Sequence, residues 1–204
     1  MGNLPQVDTQ RVLAAEVSLL FEQGDLDHAL PAAERSVAAA EETLGTDHPG
    51  TAAALGSLAV LYETRGWYAP AEPLYQRALA IRRQTLSPGH PDTILSLENL
   101  ARVWAALGKH AEAEELYREV LAVREAALGS DHVSIAATLD VLATSRQAQG
   151  GYEEAEELFK RALAIRKKAL GQNHPRFAAS LDHLAALAAA QKNHPEAERR
   201  FAQS

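Results

Sequence analysis

The chain contains no cysteine, which removes disulfide staples, thiol nucleophiles and every thiolate metal site together. Aromatic residues make up only 5% of it, so its core must be built from aliphatic and small side chains. Positive charge is in deficit: 20 Lys and Arg against 27 Asp and Glu leave a net charge of -7. No nucleic-acid partner is expected, because phosphate binding draws on clustered positive charge. No run approaches about eighteen uncharged apolar residues, and no basic segment leads into an apolar one at the N-terminus. The expectation is a cytoplasmic protein without a membrane partner. Strand signals are missing too, since β-branched residues never alternate over a run. With 47% apolar residues, there is nevertheless enough to bury a sizeable core.

What is present is a repeat. His48, His90, His132 and His174 recur every 42 residues, and so do Gly24, Gly66, Gly108 and Gly150. The apolar register follows: Leu13, Leu55, Leu97, Leu139 and Leu181 form one series, and Ala29, Ala71, Ala113, Ala155 and Ala197 another. The periods divide the chain at about 8–49, 50–91, 92–133, 134–175 and a shortened 176–204, a single array over 1–204 with no room for a separate catalytic domain.

Within one period Leu55, Leu58, Ala59 and Tyr62 share a helix face, and Ala71, Leu74, Tyr75, Ala78 and Leu79 share a second. Gly66 lies between them, where a helix end can turn left-handed, so each period predicts a helical hairpin. First helices are expected near 8–23, 50–65, 92–107, 134–149 and 176–191. Ala59 and Ala71 mark the close approach of the pair, and Tyr62 and Tyr75 fill the space beside it.

The pattern Leu58-Ala59-x2-Tyr62, then Ala71-x3-Tyr75 and Ala78, resembles the tetratricopeptide repeat signature. The 42-residue period, the Leu44-Gly45-Thr46-Asp47-His48-Pro49 linker and the segment Ala71 to Leu79 are similar to kinesin light chain repeats. Leu100-Ala101-x2-Trp104 and Ala155-x3-Phe159 repeat the match. Arg146 and Ala188 depart from it at the first-helix aromatic, Val133 at the linker proline, and Glu16-Val17 at Leu-Ala. The resemblance implies an all-α, right-handed α-solenoid of stacked antiparallel helical hairpins.

Chemistry has little foothold. The periodic histidines stand one repeat apart, too far to share a metal ion, and are expected to cap the following helix. The runs Glu112-Ala113-Glu114-Glu115 and Glu153 to Glu157 read as solvated first turns at the positive end of the helix dipole, and Arg161, Arg166, Lys167 and Lys168 as its complement. No Gly-rich phosphate loop, HExxH or GxSxG occurs. No enzyme, metal or cofactor is expected.

The remaining surface is the first-helix face, which lines the groove in tetratricopeptide arrays. The resemblance implies groove residues Arg11, Ser18 and Glu22 in the first period, and Ser57, Val60, Glu63 and Thr64 in the second. The third supplies Glu98, Asn99 and Arg102, the fourth Asp140, Val141, Thr144 and Gln147, and the fifth Asp182 and His183. Ala53, Gly56, Ser57 and Val60 leave a smooth wall for a peptide backbone, while Glu63, Glu98, Asp140 and Asp182 tilt the charge negative, against Arg11 and Arg102. Asn99 carries most weight, because its amide offers a donor and an acceptor to an extended chain. The expected function is a non-enzymatic module that binds a short segment of a protein partner. The alternatives are a self-assembling scaffold, a homo-oligomer through its terminal repeats, and a docking segment of a larger signalling protein.

Overall fold

A computed structural model describes residues 6–201, with side chains over 9–191. The chain divides into two compact units, Met1–Lys109 and His110–Ser204. The first holds α1 (Gln6–Glu22), α2 (Leu26–Leu44), α3 (Pro49–Thr64), α4 (Tyr68–Thr85) and α5 (Pro91–Ala106). The second holds α6 (His110–Leu128), α7 (Val133–Ala148), α8 (Tyr152–Leu170) and α9 (Pro175–Phe201). Among the described residues there is no strand. In the first unit α1 packs on α2, α2 on α3, α3 on α4 and α4 on α5; in the second α6 packs on α7, α7 on α8 and α8 on α9.

The punctuation is glycine and histidine. At the turn after α3, Gly66 adopts φ +74, a conformation only glycine takes without strain, and the amide of Trp67 donates back to the carbonyl of Tyr62 at 2.8 Å. Gly24, Gly108 and Gly150 also have positive φ. Each linker histidine then caps the next helix. Nδ1 of His48 accepts from the amide of Gly50 at 3.0 Å, that of His90 from Asp92 at 3.1 Å and that of His132 from Ser134 at 3.3 Å. His174 accepts likewise from Arg176 at 3.1 Å. The ring satisfies an amide that the helix itself leaves without a partner.

Between the helices the register is as expected in the inner periods. Leu55, Leu97 and Leu139 are 1%, 0% and 0% exposed, and Ala59 and Ala71 are fully buried where backbones approach. Burying a leucine fully contributes about 1.5–3 kcal/mol. The end members of the leucine series fare differently: Leu13 is half-buried and Leu181 is 47% exposed, since no described helix lies beyond either.

Three expectations need correction. The fifth period is not a hairpin over the described residues, because α9 continues unbroken from Pro175 to Phe201. Lys192 stands where Gly24, Gly66, Gly108 and Gly150 turn the chain, and without a residue suited to positive φ the helix runs on. Second, Glu114 is no solvated first-turn carboxylate: it is 4% exposed. It pairs with Arg146 and with Arg118 at 2.7 Å, and accepts from Gln149 at 3.2 Å. Third, Arg166 is 7% exposed and donates to Ser180 and to Asp140.

Both buried groups belong to periodic devices. One period before Glu114, Glu72 accepts from the indole N–H of Trp104 at 2.7 Å and from Lys109 at 2.6 Å. Trp104 and Arg146 occupy the same register position, so the arginine replaces one N–H donor by another. The Lys109 ammonium, assisted by Trp104, holds the Glu72 carboxyl below its ordinary value against the opposing effect of burial. Likewise Arg82, Arg124 and Arg166 share a register and donate to hydroxyls at a second shared position, Ser96, Thr138 and Ser180. A buried charge is tolerated only where such partners exist.

Candidate functional site

In the first unit the expected groove residues lie on the faces of α1, α3 and α5. Arg11, Ser18, Glu22, Ser57, Thr64 and Arg102 are exposed, whereas Val60, Glu63, Glu98 and Asn99 are half-buried. The hydroxyls of Ser18, Ser57 and Thr64 donate to carbonyls one turn back on their own helices, at 3.1, 3.2 and 2.8 Å. This leaves their oxygens able to accept from an incoming donor. A Cβ added at Gly56 would meet nothing within 4 Å, so the wall beside it is open.

Between α1 and α3 the surface sinks into a pocket of about 130 Å³, lined by Val17, Ser18, Phe21, Ser57, Val60 and Leu61. Three of these were expected from the groove positions. Phe21 was not, although it stands one turn beyond Ser18 on the same face. Its ring is 41% exposed, an apolar group left at the rim of an apolar hollow.

On α3 and α5 the charged residues engage one another. The phenol of Tyr75 donates to Glu63 at 2.9 Å, and Arg102 donates to the same carboxylate at 2.8 Å. Burial, with the Glu63 carboxylate beside it, pushes the Tyr75 phenol well above its ordinary value, so it stays a donor at any physiological pH. Arg102 also donates to the side-chain carbonyl of Asn99 at 3.1 Å. Asn99 therefore offers a ligand its N–H2 group rather than donor and acceptor together, and the negative charge of Glu63 is balanced by a neighbour.

In the second unit the expected residues lie on α7 and α9. Asp140 is half-buried and held by Arg166, with His183 Nδ1 3.7 Å from its other oxygen. The His183 ring lies against Phe159, centroids 5.2 Å apart, so this histidine is half-buried rather than a plain surface one. Val141, Thr144 and Asp182 are exposed and Gln147 is half-buried. Among the described residues no three His, Asp or Glu side chains gather as a metal site, and no helix is long and apolar enough to cross a membrane.

Comparison with known proteins fits this architecture. The tetratricopeptide repeat profile matches residues 12–84, 68–126, 92–168 and 134–204. A Podosopora anserina protein named for kinesin light chain, with nearly identical TPR-like repeats, is 32% identical. That match covers 99% of this chain and 95% of the other at a TM-score of 0.81. BtubC (BKLC) from P. vanneervenii shares the fold at 24% identity and TM-score 0.75, over 92% of this chain and 74% of its own. The apo form of RapI shares it at 17% and 0.77, over 96% and 68%. No curated protein matches the sequence. A profile matched along the chain and a whole-length relative with the same hairpins lead to one conclusion: the chain belongs to the tetratricopeptide repeat family, with repeats of the kinesin light chain-like type.

Proposed function

We propose that the chain is a non-enzymatic, cytoplasmic interaction module that holds a short segment of a partner protein against the first-helix face of α1, α3 and α5. The observation that carries this is the apolar pocket between α1 and α3, bordered by Ser18, Ser57 and Val60 at groove positions and by the exposed ring of Phe21. An apolar side chain of the segment enters the pocket, and the serine oxygens and the Asn99 amide take its peptide groups. The test is capture of partners from a lysate by the intact chain and by Val60→Asp and Asn99→Ala. The expected result is a protein recovered by the parent and lost or weakened with both variants at unchanged melting temperature. Equal recovery by all three removes the groove from consideration.

A second reading, self-assembly, has its own observation. Val12 and Leu19 of α1 are 65% and 54% exposed, whereas their register equivalents Ala54 and Leu61 are 5% and 1% exposed. Light scattering at two concentrations separates the readings: a mass that rises with concentration and falls back in Leu19→Glu favours assembly.

A further inference from the structure

Within the second unit one helix face is uncovered. Ala178, Leu181 and Ala185 of α9 are exposed, whereas their register equivalents on α7, Ala136, Leu139 and Ala143, are fully buried. On α7 that face is covered by the second helix of the same hairpin. Ala136 and Leu139 share a cluster with Ala162 and Ile165 of α8, and Ala143 shares one with Ala155 and Phe159. The sequence of such a cover recurs one period later. Ala197 and Phe201 stand at the positions of Ala155 and Phe159, and Asn193-His194-Pro195 reads as a helix start, an N-cap residue followed by a proline in the first turn.

What the chain lacks is a turn to bring that segment back onto its own α9. The hairpin of α7 and α8 turns through Gly150 at φ 81, and Lys192 takes that place one period later, where a side chain strains the turn. α9 instead continues to Phe201, and a continuous helix cannot fold onto itself. Pro195 opposes the continuous form, because it has no N–H for the carbonyl of Gln191. The segment is thus suited to an antiparallel partner that its own connection withholds. Two copies meet both conditions: α9 helices laid antiparallel about a two-fold axis near Lys192 place residues 194–201 of each on the open face of the other.

We propose that the chain dimerises by exchanging residues 194–201, with Ala197 and Phe201 of one copy against Ala185 and Leu181 of the other. The proposal is independent of the groove reading, which concerns the first unit, and of assembly through α1.

Because the chain has no cysteine, introduced thiols report on this contact alone. Ala185 and Ala197 are the equivalents of Ala143 and Ala155, which one hairpin brings into the same cluster. An equimolar mixture of Ala185→Cys and Ala197→Cys chains is oxidised and separated without reductant. A disulfide-linked dimer is expected in the mixture and not from either variant alone. It should persist when both chains also carry Leu19→Glu, and its loss there would assign the contact to α1 and overturn the proposal. In sedimentation, Lys192→Gly should weaken the dimer about tenfold by easing the intramolecular turn in both chains. Pro195→Ala should strengthen it by at least as much through the restored helix hydrogen bond. No linked dimer in the mixture, an equal yield from either variant alone, or an affinity unmoved by Lys192→Gly and Pro195→Ala overturns the proposal. A chain carrying both cysteine substitutions that closes its bridge only within one molecule overturns it in favour of a hairpin.

Discussion

Replacing Arg146 by alanine removes the main partner of a buried carboxylate. Glu114 has a side chain only 6% exposed, and its other contacts are Arg118, itself 55% exposed, and the Gln149 amide. Removing one member of a buried ion pair costs about 3–5 kcal/mol. The surviving partners place this case near about 3 kcal/mol, a substantial share of the stability of a domain. The reciprocal change should cost less, because in Glu114→Ala the guanidinium keeps Glu154, 3.0 Å away. Arg146→Trp should recover part of the loss, since Trp104 already serves Glu72 in that role one period earlier. Urea denaturation of the two single mutants and the double mutant forms the assay. If Arg146→Ala unfolds at the parent's midpoint, or if the single costs simply add in the double mutant, the pairing is not what stabilises this junction.

Three further outcomes follow from the same contacts. His90→Ala should lower stability by about 1 kcal/mol, and His90→Asn by much less, because asparagine also caps a helix N-terminus; calorimetry of both variants checks this. Gly66→Ala should cost about 1 kcal/mol through its φ of +74 although the site has room for the methyl group, and an unchanged melting curve would contradict it. The Glu72 carboxyl is held low by Lys109 and Trp104 in the folded chain, so its contribution is present above the ordinary glutamate range and disappears as pH falls through the lowered value. The stability gap between parent and Glu72→Gln should therefore be open at pH 7 and close on acidification, which denaturation at several pH values will measure.

In the first four periods the periodicity made first-helix positions legible to within a residue or two, because glycine turns and histidine caps recur with the apolar register; in the fifth, where the glycine is missing, α9 runs ten residues past the expected end. Leu97 was readable as core since every neighbour in its layer repeats with it. Leu181 was not, because burial depends on a following layer that a register alone does not supply. Glu114 was hidden in a run of glutamates: Glu112 and Glu115 on the same turn are exposed, and only the donor arriving from α7 distinguishes Glu114 from them. The signal existed, in the shared register of Glu72 with Glu114 and of Trp104 with Arg146. At the groove, Asn99 was readable as a polar position on the right face, but its engagement by Arg102 was not, since that contact depends on side-chain reach. With its carbonyl occupied, Asn99→Ala should weaken partner binding only about fivefold to tenfold, the worth of one unmade hydrogen bond to a peptide carbonyl.

The central claim is that a partner lies along the first helices of the first unit. Photo-crosslinking tests it most directly, with the reactive residue placed at Ser57 on α3 or at Gln76 on α4, both exposed positions. The account predicts a partner crosslink from position 57 and none from 76; a crosslink from 76 alone would contradict it.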